Sequence, residues 1–195
     1  ATVFTLQVGS NGSYQFNLVK SLDHPLGNGD DNELLTLDFT SSLKATGGTG
    51  TLAGSFLIHV EDDSPTVDLL PNIGASVVEG ATYNGTWSSG YGADGAGSTK
   101  VLVGANEYDL NTDIALASGT LRVNSDGTWR FQAANGLDQD VVNSQSFSVR
   151  VRDYDQDTVT DNITIAITDA ATPTGGTASN TVDEEGLSNG IIGGP

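Results

Sequence analysis

The chain has 195 residues, enough for one large domain or two of about 100. Its 25 acidic against 7 basic side chains give a net charge of −18, which argues against nucleic acid or anionic membranes as partners, since both need clustered Lys and Arg. No apolar run approaches the roughly 18 residues of a membrane-spanning helix, and no charged-then-apolar leader pattern opens the chain. Cys and Met are both absent, so disulfides, thiolate metal sites and cysteine nucleophiles are excluded.

Helical periodicity is nearly missing. β-Branched and aromatic residues alternate with small polar ones, and Gly, Asn, Asp and Ser punctuate the runs. In chain order the pattern predicts strands over Thr2–Val8, Ser13–Val19, Glu33–Ser41, Gly54–Glu61, Val77–Trp87, Lys100–Val103, Gly119–Val123, Thr128–Ala133, Gln145–Arg152 and Asn162–Thr168. Short strands at this spacing with no helices between them predict an all-β fold of sandwich type.

The chain repeats itself. Residues 10–24 (SNGSYQFNLVKSLDH) align without a gap to 125–139 (SDGTWRFQAANGLDQ), pairing Gly12 with Gly127, Tyr14 with Trp129, Phe16 with Phe131, Leu22 with Leu137 and Asp23 with Asp138. Further on, Phe56, Ile58 and Val60 correspond to Ile163, Ile165 and Ile167. The expected organisation is the closing part of an incomplete, split β-sandwich over 1–66, an acidic linker over 67–76 and a complete Ig-like sandwich over 77–174. The tail 175–195, with TVDEEGLSNG, reads as the opening of a further repeat. An incomplete first sandwich leaves open strand edges. The tail segment Thr181–Ile192 is expected to cover them, within one chain or between neighbours.

These residues resemble a known family. GSYQFNLVKSLDHP, NELLTLDF and FLIHVEDDSPTV are similar to the closing half of the long repeats of RTX-type giant bacterial adhesins. GYGADGAGS, NSDGTWRF and VRDYDQDTVTDNITIAITD resemble the Ig-like, cadherin-like repeats of the same proteins. The resemblance implies tandem sandwiches exported by type I secretion to the bacterial surface, where they serve cell adhesion or biofilm formation. Such repeats usually carry an Asp-x-Asp-Gly-Asp turn; this chain has DYDQD, with Gln156 in place of Gly, and SSLKATGGTG in the first copy.

The acids carry the chemistry. Asp153, Asp155 and Asp157 alternate between two predicted strands, so their carboxylates point one way and repel. A calcium ion, which takes six to eight oxygens, would relieve that repulsion. The loop is no EF-hand: it lacks the Gly, the closing Glu and the flanking helices. The turn preceding the last strand should face the first unit, bringing Glu61, Asp62, Asp63 and Asp23 to the same junction. The same reasoning puts Asp138, Asp140, Asp94 and Asp169 at the far end, with Asp183, Glu184 and Glu185 following in the tail. Calcium at the junction would stiffen the hinge, as in cadherin-like chains.

The reading is therefore a calcium-stabilised extracellular extender whose partners are neighbouring repeats of the same adhesin. The alternative is a module binding a surface glycan or peptide through the loops at 24–33 and 84–99, with Tyr83, Trp87 and Tyr91 as the aromatics to suspect. An enzyme is not expected. Two Trp are too few for a sugar cleft flanked by paired acids, and His24 and His59 lack a Ser or Cys partner. GADGAG (92–97) lacks the Lys of a phosphate loop, and the sequons at Asn11, Asn84 and Asn162 carry little meaning if the source is bacterial, as the resemblance implies.

Overall fold

A computed structural model describes residues 1–22, 24, 34–43, 54–71, 74–170 and 176–180. The fold is all-β. Residues 1–61 form two hairpins: β1 (Phe4–Val8) with β2 (Tyr14–Leu18), and β3 (Leu34–Asp38) with β4 (Leu57–Glu61). Phe4 packs on Phe16 within the first hairpin at 5.3 Å, and the exposed Tyr14 meets Phe56 of the second at 5.0 Å between ring centroids. Phe39 touches both Phe4 and Phe56.

The second unit is a sandwich of two five-stranded sheets. Its strands are β5 (Thr66–Leu70), β6 (Ser76–Val78), β7 (Thr82–Gly90), β8 (Ala96–Val103), β9 (Asn106–Tyr108), β10 (Asp113–Leu116), β11 (Gly119–Val123), β12 (Thr128–Ala133), β13 (Ser144–Asp153) and β14 (Thr158–Thr168). One sheet runs β10-β11-β12-β7-β5 and the other β6-β14-β13-β8-β9. All pairings are antiparallel except β6 with β14. The period-two alternation of β12 buries Trp129, Phe131 and Ala133, and that of β13 buries Phe147, Val149 and Val151. Trp129 stacks on Tyr83 and meets the edge of Phe147, joining the two layers.

The expected linker over 67–76 is a correction. Thr66–Leu70 pair with Thr86–Gly90 as an edge strand of the sandwich, and Ser76 opens β6. Val67 and Leu69 point inward at period two while Asp68 points out, a short alternation that the acids and Pro residues around it obscure. β9 and β10 were also unforeseen; both are edge strands of three or four residues.

The repeat persists in three dimensions. Leu6 lies opposite Phe16 and Val8 opposite Tyr14, just as Leu121 lies opposite Phe131 and Val123 opposite Trp129. Both copies begin the second strand by the same turn. Asn11 Oδ1 accepts from the Ser13 N–H and Asp126 Oδ1 from the Thr128 N–H, with Gly12 at φ 85° and Gly127 at φ 86°. Asn and Asp favour such turns because the side chain closes its own backbone two residues on.

Candidate metal centre

Asp153 is the next inward position after Phe147, Val149 and Val151, so the strand's own alternation drives a carboxylate to complete burial. A register shift between Arg152 and Asp153 ends the regular pairing with β8 there. The chain then closes on itself: the Asp153 N–H donates to the Asp157 carbonyl (3.2 Å), and the Asp157 N–H donates to Asp153 Oδ1 (2.8 Å). Gln156 makes this closure possible by taking φ 94°, in the left-handed region that favours Gly. Gly97 lets β8 approach, since a Cβ there would lie 1.9 Å from the Asp153 carbonyl oxygen.

The turn brings Asp153, Asp155 and Asp157 together, with one carboxylate oxygen of each within 4.8 Å of the others. Oδ2 of Asp153 and both oxygens of Asp155 are shielded from solvent and accept no hydrogen bond among the described residues. Burial is the largest cause pushing the Asp153 carboxyl up to about 7; the neighbouring Asp155 carboxylate adds to it, and the Asp157 amide opposes. Two facing carboxylates in such a place require either a proton or a cation between them.

A second group adjoins the first and shares Asp155: His24, Asp62 and Asp155 also offer atoms within 4.8 Å of one another. His24, read from sequence as a lone loop residue without a role, is buried here. Its Nε2 lies 3.1 Å from the Val60 carbonyl, and its Nδ1 lies 2.9 Å from the Leu22 carbonyl and 3.2 Å from Asp62 Oδ1. All three neighbours are acceptors, so both ring nitrogens are already engaged and the ring orients Asp62 at the edge of this group. Nothing in the sequence marks it, because the contact joins residues 36 positions apart.

Of the other expected ligands, Asp63 is at the junction, where its Oδ2 accepts the Ala93 N–H at 2.7 Å and so ties the exit of the first unit to the β7–β8 loop. Gly92, at φ 69°, leaves room for that carboxylate: a Cβ there would lie 2.7 Å from Asp63 Oδ2. Asp94 is a correction. It lies not at the far end but here, because β7 runs from Gln132's end of the sheet towards Thr66 and its following loop must emerge at the junction. Burial holds its carboxyl above the ordinary range, the charges of Asp155 and Asp62 add to that, and His24 opposes it. Glu61 ends β4 exposed and outside both groups, and Asp23 lies outside the described residues.

Asp138, Asp140 and Asp169 are exposed and form no metal-type group among the described residues. Asp138 instead closes its own loop, accepting from the Asp140 N–H at 3.1 Å. The tail acids Asp183, Glu184 and Glu185 lie outside the described residues. The aromatics suspected of ligand binding are engaged within the sandwich. Tyr83 stacks on Trp129, Trp87 is buried with its indole N–H on the Asn124 carbonyl (2.8 Å), and the Tyr91 hydroxyl bonds Thr99 Oγ1 (2.7 Å). Residues 84–99 are mostly strand rather than a long loop, the end of β7 in one sheet and the start of β8 in the other joined by a short turn, and 25–33 lie outside the described residues.

No family model matches the chain, and no curated protein matches it. Among solved structures it is similar to a chimeric titin Z1Z2 tandem at 10% identity, with a TM-score of 0.35, over 88% of this chain and 77% of that one. Murine CRIg matches at 11% identity and a TM-score of 0.29, over 56% of this chain and 100% of that one. An endo-beta-1,4-mannanase from Thermotoga petrophila matches at 15% identity and a TM-score of 0.34, and the chain spans 20% of its length.

Proposed function

We propose that the chain is a calcium-stabilised spacer: a β-sandwich module whose acidic end locks onto the preceding unit when the ion binds. The observation that carries this reading is Asp153, wholly buried with Oδ2 unpartnered and facing two equally unpartnered oxygens of Asp155. Three carboxylates supply only hard oxygen donors, which suits calcium at about 2.3–2.6 Å better than zinc or copper. The residues fit: Asp153, Asp155 and Asp157 would hold the ion, with Asp62 and Asp94 close enough to supply further charge. Because Asp62 belongs to the first unit and Asp155 to the second, an ion there would fix the angle between them.

Together with the sequence resemblance, this supports an extracellular role as an extender within a large bacterial adhesin, holding more distal modules away from the surface. Calorimetric titration of chelator-stripped protein with calcium tests it. Binding lost in Asp155→Asn is the expected result. Absence of calcium binding in the wild-type chain at millimolar ion would refute it.

A further inference from the structure

Tyr14 and Trp129 occupy the same position of the repeat, yet Trp129 is 1% exposed and Tyr14 is 59% exposed. The difference has an identifiable cause. Trp129 is covered by β7 and β5: its indole N–H reaches the Leu70 and Thr86 carbonyls, its ring stacks on Tyr83, and it lies so close to Gly85 that a Cβ there would sit 2.3 Å from it. Among the described residues nothing occupies the corresponding place beside β2, and β4 lacks the parallel neighbour that β6 gives β14. Leu18 and Leu57 are left exposed along the same open edges.

The sequence that would fill this place is present elsewhere in the chain. Residues 181–192 (TVDEEGLSNGII) align without a gap to 76–87 (SVVEGATYNGTW), which make β6, the following turn and the first part of β7. Val182 falls on Val77, Glu184 on Glu79, Asn189 on Asn84 and Gly190 on Gly85. Two of these matches have a definite function in the second unit. Gly85 is the residue that lets the repeat's aromatic lie across β7. Glu79 Oε1 accepts from the Leu137 N–H and from Gln139 Nε2, both at 2.6 Å, and so pins the loop after β12. The counterparts of Leu137 and Gln139 in the first unit are Leu22 and His24.

We propose that the open edges of β2 and β4 are a docking site for an opening segment of this type, and that Thr181–Ile192 of a second copy occupies it. Copying the β6–β14 register puts Thr181 beside His59 and Val182 beside Val60. Gly190 would then cross Tyr14, and Glu184 would face the Leu22 amide and His24. Main-chain pairing supplies affinity in such strand addition, and the side-chain matches supply register.

Reach favours a second copy over the same chain. From Thr168 the chain would have to run back along β14, roughly 33 Å, then cross the Asp155–Asp62 junction and continue about three residues, or roughly 10 Å, beyond it. The thirteen steps from Thr168 to Thr181 span at most about 47 Å at full extension, which leaves only a few ångströms for the crossing itself.

Sedimentation velocity of the full chain across a concentration series, paired with amide exchange, tests this. The expected result is self-association accompanied by rising protection of the Tyr14–Leu18 and Leu57–Glu61 amides. Both should weaken about tenfold or more in Gly190→Val and in Glu184→Lys. Gly190→Val lies outside the calcium ligands and touches no acid, so its effect is separable from metal binding. A chain that stays monomeric throughout, association indifferent to both variants, or protection of β2 and β4 independent of concentration would each overturn it.

Discussion

Replacing Asp155 by Asn should change stability in opposite directions with and without calcium. Asp155 faces Asp153 and is shared by both groups of donors, so it concentrates the repulsion in the metal-free protein. At 4.8 Å and an effective dielectric near 20, one ionised pair costs about 3 kcal/mol. The Asp153 carboxyl held at about 7 instead of 3.8 corresponds to about 4 kcal/mol against ionising it, of which burial is the largest part and Asp155 the next. Proton uptake by Asp153 near neutrality relieves part of this, so the asparagine variant should gain about 1–3 kcal/mol in chelator. For a sandwich of this size that is a rise in Tm of roughly 4–15 °C. In calcium at a hundred times its Kd the wild type gains about 2.7 kcal/mol, and the variant, having lost a ligand, gains little. Differential scanning calorimetry of both proteins in EDTA and in calcium should therefore show the variant's chelator advantage shrink or reverse. An asparagine variant less stable than wild type in EDTA, or one that keeps the full calcium response, would show that Asp155 is an ordinary solvated acid.

The pH dependence should also switch with the ion. The Asp153 carboxyl is raised in the folded state, so its contribution is fully present below about 3.8 and is lost as pH rises through about 7. Urea midpoints of chelated protein should fall between pH 5 and 8, whereas in calcium they should hold or rise because the ligands must be deprotonated. Gln156→Gly should raise the unfolding free energy from chemical denaturation by about 0.5–1 kcal/mol, because glycine adopts the left-handed backbone at Gln156 without strain. Gly97→Ala should cost more than about 3 kcal/mol or unfold the sandwich, since backbone cannot retreat from a 1.9 Å contact; an unchanged midpoint would mean β8 does not approach Asp153 so closely.

Local pattern made much of the fold legible. β11 and β12 match their expected bounds, β12 because its buried residues are all bulky or apolar, whereas the single strand expected over Val77–Trp87 is broken at Glu79–Ala81 into β6 and β7 of different sheets. β5 escaped because its inward pair, Val67 and Leu69, is flanked by Asp68 and two prolines and resembles a linker. For the site, the period-two acids were enough to bring Asp153, Asp155 and Asp157 together. Which end of the sandwich holds Asp94 depends on strand direction, a non-local property, and the reading of it from sequence failed. His24 depends on contacts with Val60 and Asp62 across the intervening hairpin, and no spacing rule reaches that far.

A crystal structure of the chain grown in millimolar calcium tests the central claim most directly. The account predicts an ion within about 2.3–2.6 Å of Asp153 Oδ2 and of at least one Asp155 oxygen. An Asp153–Asp155 pair bridged only by a proton or by water at that calcium concentration would contradict it.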